Sequence, residues 1–107
     1  MLPDEIEVKE ITAKQLKELL ASPTPPLVLD VREPRELIVD GAIEGSTHIP
    51  MMHIPNRLGD LPKDQMIVAQ CAHGNRSYDV AAYLLMNGFK DAASLEGGIV
   101  AWKSLKS

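Results

Sequence analysis

One hundred and seven residues, 45% of them hydrophobic, suffice for one globular domain spanning residues 1–107 and leave no room for two. Eleven Lys+Arg stand against 15 Asp+Glu, a net charge of -4, and only four side chains are aromatic (Tyr78, Tyr83, Phe89, Trp102), so neither a phosphate-gripping surface nor a set of base-stacking platforms is available and nucleic acid is excluded as a partner. The longest apolar stretches, residues 27–29 and 66–69, fall far short of the roughly 20 residues that span a bilayer, and residues 1–10 are acidic where an export signal would be basic and then apolar. No membrane partner is expected, and a cytoplasmic location is.

In chain order, Ile6 and Val8 alternate with acidic residues as a short strand does. Thr12 with Gln15 reads as a capping box opening a helix whose apolar face is Leu16, Leu19 and Leu20. Residues 22–26 hold three prolines, which cannot donate to the helical ladder and push the preceding residue toward extended backbone, so the helix ends there. Residues 27–31 (Leu-Val-Leu-Asp-Val) have the pattern of a strand buried on both faces, Pro34 sits where a helix can begin, and residues 66–70 repeat the strand pattern. A helix starting near Ser77 carries Val80, Ala81, Leu84 and Leu85 at helical spacing and stops at Asn87-Gly88. Residues 92–95 fit another strand, Gly97-Gly98 a tight turn, and residues 99–105 a last short helix with Trp102 on its apolar side. Short strands alternating with helices imply right-handed crossovers and an α/β fold: a doubly wound, mostly parallel sheet of about five short strands with helices on both faces. Ligand sites in such sheets lie beyond the carboxyl ends of strands, and Cys71 falls at one.

Cys71 is the only cysteine, so it has no partner for an internal disulfide or a zinc site, and whatever it does it does alone. In Cys71-Ala72-His73-Gly74-Asn75-Arg76-Ser77, Gly74 and Asn75 tolerate positive φ and let backbone N–H groups converge on one point, where they would bind an anion. The helix that follows adds its partial positive end and Arg76 a fixed charge, so a thiolate here would be stabilised and the Cys71 pKa lowered. A lone cysteine in a turn is otherwise a small buried apolar residue; the strand before, the glycine and arginine after, and the helix beyond favour a reactive thiol.

This loop resembles the active-site loop of the rhodanese-like single-domain sulfurtransferases. Asp30-Val31-Arg32-Glu33-Pro34 with Glu36 resembles the family's Asp-Val-Arg-Glu segment, Gly41, Ile43, Gly45-Ser46 and Ile49-Pro50 its next block, and Gly97-Gly98-Ile99 with Ala101-Trp102 its C-terminal signature. Ala42 and Glu44 depart from the family's usual histidine and proline there. The resemblance implies a doubly wound α/β domain that moves sulfane sulfur from a small anionic donor such as thiosulfate through a persulfide on Cys71 to cyanide or a thiol, with a protein acceptor as a further option and no metal or organic cofactor. Related phosphatases keep five residues between cysteine and arginine; four stand here, and the tighter ring suits one sulfur atom better than a phosphate. The other reading of this fold is a persulfide carrier or regulatory binding module with little small-molecule turnover.

Residues 72–77 (Ala72, His73, Gly74, Asn75, Arg76 and Ser77) are accordingly the candidate substrate-binding loop, with Asp30 and Arg32 supporting it. Arg76 would either compensate the bound anion or pair with Asp79 along the helix surface. Asp30 reads as a structural carboxylate accepting loop or arginine hydrogen bonds, and Arg32 as its neighbour rather than its partner. His73 either tunes the thiolate or faces solvent. All four arginines (Arg32, Arg35, Arg57, Arg76) lie between residues 32 and 76, which fits either an anionic substrate or an ordinary surface. His48 and His53 lack the one-face spacing of a metal site, and Met51, Met52, Met66 and Met86 read as core or pocket filler.

Overall fold

The computed structural model describes residues 6–105; the ends of the 1–107 domain expected from sequence lie outside the described residues. Five strands, β1 (Lys9–Ile11), β2 (Leu27–Asp30), β3 (Thr47–His48), β4 (Ile67–Gln70) and β5 (Ala92–Leu95), form one sheet in the order β1-β5-β4-β2-β3, every neighbouring pair parallel. The helices are α1 (Ala13–Leu20), α2 (Pro34–Asp40), α3 (Ile54–Arg57), α4 (Asn75–Met86) and α5 (Gly98–Ser104).

Each inner strand is buried on both faces, which is why it reads as an apolar run rather than an alternation. On one face Leu29, Ile67 and Ala69 pack against Val80, Ala81 and Leu84 of α4 and Ile54 of α3. On the other, Val28, Val68, Ala93 and Leu95 pack against Ala13 and Leu16 of α1 and Ile99 of α5. The Thr12–Gln15 capping box is present, Gln15 N–H donating to Thr12 Oγ1 at 3.1 Å and Thr12 N–H to Gln15 Oε1 at 2.8 Å.

Three local expectations are corrected. The first strand is Lys9–Ile11 and not the stretch around Ile6 and Val8; Lys9 pairs with Ala93 and β5 begins one residue earlier, so Ile6 has no strand partner to pair with. The fourth helix opens at Asn75, two residues before Ser77, with Gly74 as its N-cap. Met52 and Met86 are exposed, since Ile54 takes the inward position beside Met52 and Met86 is the last residue of α4; Met51 and Met66 are half-buried.

The connection from β2 leads to β3 on one side of the sheet, and the connection from β4 leads to β5 on the other. The crevice between the carboxyl ends of β2 and β4 is therefore the topological switch point of a doubly wound sheet. Residues 30–36 and 71–77 both leave the sheet there.

Candidate active site

Cys71 follows the last residue of β4 and is 1% exposed. Its Sγ accepts hydrogen bonds from Gly74 N–H at 3.2 Å and Ser77 N–H at 3.3 Å, and lies 3.5 Å from Ser77 Oγ. Gly74, at φ 109°, turns the chain so that these N–H groups face the sulfur; a Cβ there would sit 3.3 Å from Gly97 N and 3.4 Å from Leu95 O. Asn75, expected to share the positive-φ role, does not: no described non-glycine residue has positive φ, and Gly74 alone makes the reversal into α4.

The loop's carbonyls point the other way and are held from behind. Cys71 C=O accepts from Ile99 N–H at 2.8 Å and from Gln70 Nε2 at 3.0 Å, and Ala72 C=O accepts from Val100 N–H at 3.3 Å. Those N–H groups are the unsatisfied donors of the first turn of α5, so one helix end braces the loop while another, that of α4, faces the sulfur. Burial pushes the Cys71 thiol up, but its hydrogen bonds with the Ser77 side chain, the Ser77 and Gly74 backbone and the His73 backbone outweigh it, and the thiol is held below its ordinary value. Ser77 Oγ is in turn 2.7 Å from Ser94 Oγ on β5, and both serines are fully buried.

Arg76 does not pair with Asp79, the surface partner that the sequence allowed. Its Nη1 and Nη2 donate to Glu36 Oε1 and Oε2 of α2 at 2.7 and 2.8 Å, a bidentate pair at the rim of the crevice. Asp79 is displaced as a partner because Glu36 comes across from the neighbouring crossover already positioned: its Oε1 accepts Glu33 N–H at 2.9 Å as the capping box of α2. Arg76 holds the Glu36 carboxyl down to about 2 against the opposing effect of burial, with the Glu33 N–H adding to the lowering, and Glu36 raises Arg76 above its ordinary value.

Asp30 is a structural carboxylate as expected, but Arg32 is its partner, which corrects the sequence reading. Arg32 Nε and Nη2 donate to Asp30 Oδ1 and Oδ2 at 3.0 and 2.7 Å, Arg32 N–H adds a bond to Oδ1 at 3.1 Å, and both residues are fully buried. Residues two apart at a strand end share a face of the sheet, which folds the guanidinium back over the carboxylate. Arg32 Nη2 also donates to Gly41 C=O at 2.8 Å, and His48 Nε2 donates to Arg32 C=O at 2.7 Å, so the pair fixes the start and end of the α2 crossover.

His73 and Asn75 are exposed and Ala72 is half-buried. Three of the four arginines lie on the segments that leave the sheet at the crevice, Arg32 and Arg76 committed to Asp30 and Glu36 and Arg35 exposed, while Arg57 pairs with Asp60 beside α3. Among the described residues no three His, Cys, Asp or Glu side chains cluster as metal ligands would, and no helix is long and apolar enough to cross a membrane. Sequence reasoning missed Glu36 as the partner of Arg76, Ser94 behind Ser77 and Gly98 beneath the loop. Gly98 carried a signal as a second glycine next to one that already suffices for the turn, and Glu36 stood in the segment that carries the resemblance; Ser94 carried none.

A family model described as Rhodanese-like domain matches residues 12–105. The chain is 40% identical over 95 residues to a sulfurtransferase of Allochromatium vinosum, covering 89% of this chain and 88% of that protein. It is 38% identical over 93 residues to the thiosulfate sulfurtransferase GlpE of Pseudomonas aeruginosa, covering 87% and 79%. Among solved structures, a rhodanese-like domain protein from Staphylococcus aureus superposes with a TM-score of 0.82 at 38% identity, covering 89% of this chain and 91% of that one.

Proposed function

The chain belongs to the rhodanese-like domain family, whose matched relatives include named sulfurtransferases, and on that premise we propose that it transfers sulfane sulfur through a persulfide on Cys71. The Cys71 thiolate attacks the outer sulfur of the donor, the donor's S–S bond breaks, and its electron pair leaves with sulfite (from thiosulfate) or with a thiolate (from an organic persulfide). A thiophilic acceptor, cyanide or a thiol, then attacks the outer sulfur of the persulfide and returns the Cys71 thiolate. Sulfur changes hands without an external oxidant or reductant, and one cysteine is enough because the covalent intermediate splits the transfer into two half-reactions.

The observation that carries this reading is the ring of N–H donors around a single sulfur. Gly74 and Ser77 N–H lie within 3.3 Å of Sγ, and the Ser77 hydroxyl completes a cradle able to bear the negative charge of a thiolate or of the persulfide that replaces it. Cys71 is 1% exposed, so the donor must present its sulfur as a terminal atom reaching into the loop. The Asp30–Arg32 pair supports the site by fixing the opposite wall of the crevice.

Intact mass of the reduced protein and of a Cys71→Ser variant, each incubated with thiosulfate or with glutathione persulfide, tests the reading. Wild type gains one sulfur atom, the variant gains none, and cyanide discharges the adduct as thiocyanate over repeated turnovers. An adduct that forms and never turns over makes the protein a persulfide carrier; no adduct with either donor removes Cys71 from the chemistry.

A further inference from the structure

The sulfur cradle is made of neutral donors, and the one guanidinium at the mouth is already neutralised. Both Nη groups of Arg76 are bound to the two oxygens of Glu36, at 2.7 and 2.8 Å, and Oε1 is also held by Glu33 N–H at 2.9 Å, so the carboxylate is fixed from two sides. Of the two other arginines on the segment that leaves β2, Arg32 is fully buried against Asp30 and Arg35 is exposed on α2, its charge offset by Glu33. Glu33, exposed at the N-cap of α2, adds a second carboxylate on the side of Arg76. The mouth therefore offers a donor no net positive charge, while the cradle behind it supplies backbone dipoles for about one negative charge at the sulfur.

We infer that Glu36 is a specificity-determining residue: by occupying Arg76 it selects against doubly charged sulfur donors such as thiosulfate and in favour of organic persulfides, which bring at most one negative charge to the reacting sulfur. The inference rests on the sulfurtransferase reading above. With thiosulfate, three negative charges meet in the attack (thiolate plus dianion) and two of them depart with sulfite; with an organic persulfide anion, two meet and one departs with the thiolate. Each extra charge must be met by a cation at the mouth, and Glu36 has taken Arg76, the one cation in the sulfur-binding loop itself.

The test is single-turnover loading of Cys71, followed by mass and rapid mixing, with thiosulfate and with cysteine persulfide as donors, for wild type and Glu36→Gln. Glutamine keeps an acceptor for Glu33 N–H while removing the charge that binds Arg76. Wild type loads faster from cysteine persulfide; Glu36→Gln raises the second-order rate with thiosulfate by about tenfold, as expected for freeing one cation in a partly desolvated cleft, and leaves the rate with cysteine persulfide within about twofold. The gain shrinks as salt is added, because a screened charge attracts less. A Glu36→Gln/Arg76→Gln double variant loses the gain if Arg76 supplies it, and far-UV circular dichroism verifies that the helices are undisturbed. An unchanged thiosulfate rate, or equal factors on both donors, overturns the role of Glu36 while leaving the sulfurtransferase intact; a wild type that loads from neither donor overturns the sulfurtransferase itself.

Discussion

Ser77 reaches the Cys71 sulfur twice, through its N–H at 3.3 Å and its hydroxyl at 3.5 Å, and both contacts favour the thiolate over the thiol. A group whose ionised form is favoured by folding has its pKa depressed in the folded state. Its contribution to stability is present in full above the unfolded thiol's value and lost as pH falls through the folded one. The same sign governs reactivity: the loading rate rises with pH through the folded pKa and is flat above it. Ser77→Ala removes the hydroxyl and keeps the N–H, so the midpoint of the loading rate against pH should move upward while the plateau rate stays within about threefold of wild type. An unmoved midpoint would assign the lowering to the backbone alone. The loop was readable at this scale because its residue types state their chemistry: a thiol, a glycine that can turn, a hydroxyl. Glu36 was not, since a glutamate three residues after Glu33 is first of all a capping-box residue, and its second bond spans forty positions of sequence.

The clearest constraint among the elements is where α5 meets the loop. Gly98 has φ 58°, and a Cβ on it would stand 2.3 Å from Cys71 O and 2.4 Å from Ala72 O, atoms that cannot move without moving the sulfur cradle. Gly98→Ala combines a backbone clash with a left-handed conformation that disfavours alanine, and should cost about 2–4 kcal/mol of stability. Urea denaturation measures that loss. The folded fraction should also load Cys71 more slowly, since the N–H groups of Ile99 and Val100 no longer hold the loop carbonyls in place. A variant as stable as wild type would mean that α5 can retreat without cost. Elements with strong periodicity or capping chemistry (α1, β2, β4, α4, β5) were legible in sequence. β3 was not, because two residues show no period, and neither was α3, a four-residue turn between Pro50 and Gly59 that is fixed by Ile54 and Leu61 entering the core.

Across the whole molecule the sheet separates two packing problems from each other. The face under α4 is continuous with the site, since Val80, Ala81 and Leu84 pack in the same cluster as Cys71, whereas the α1 face meets the site only through α5 and the inner strands. This division follows from the doubly wound order, which sends the crossovers from β2 and β4 to opposite sides and leaves the crevice at the switch point between them. Stability and sulfur chemistry should then be separable by the choice of face. Leu16 of α1 is fully buried on the far face, and Leu16→Ala should lower stability by about 2–5 kcal/mol through lost transfer energy and a residual cavity. Leu16 shares its cluster with Ile99, whose N–H braces Cys71 C=O, but no residue of that cluster donates to the sulfur, so the pH midpoint of Cys71 loading in the folded protein should stay where it is in wild type. Urea unfolding and the pH profile of loading, measured on one preparation, check both halves. A displaced midpoint would show that strain crosses the sheet, in which case the inner strands transmit packing to the thiol and do not merely carry it.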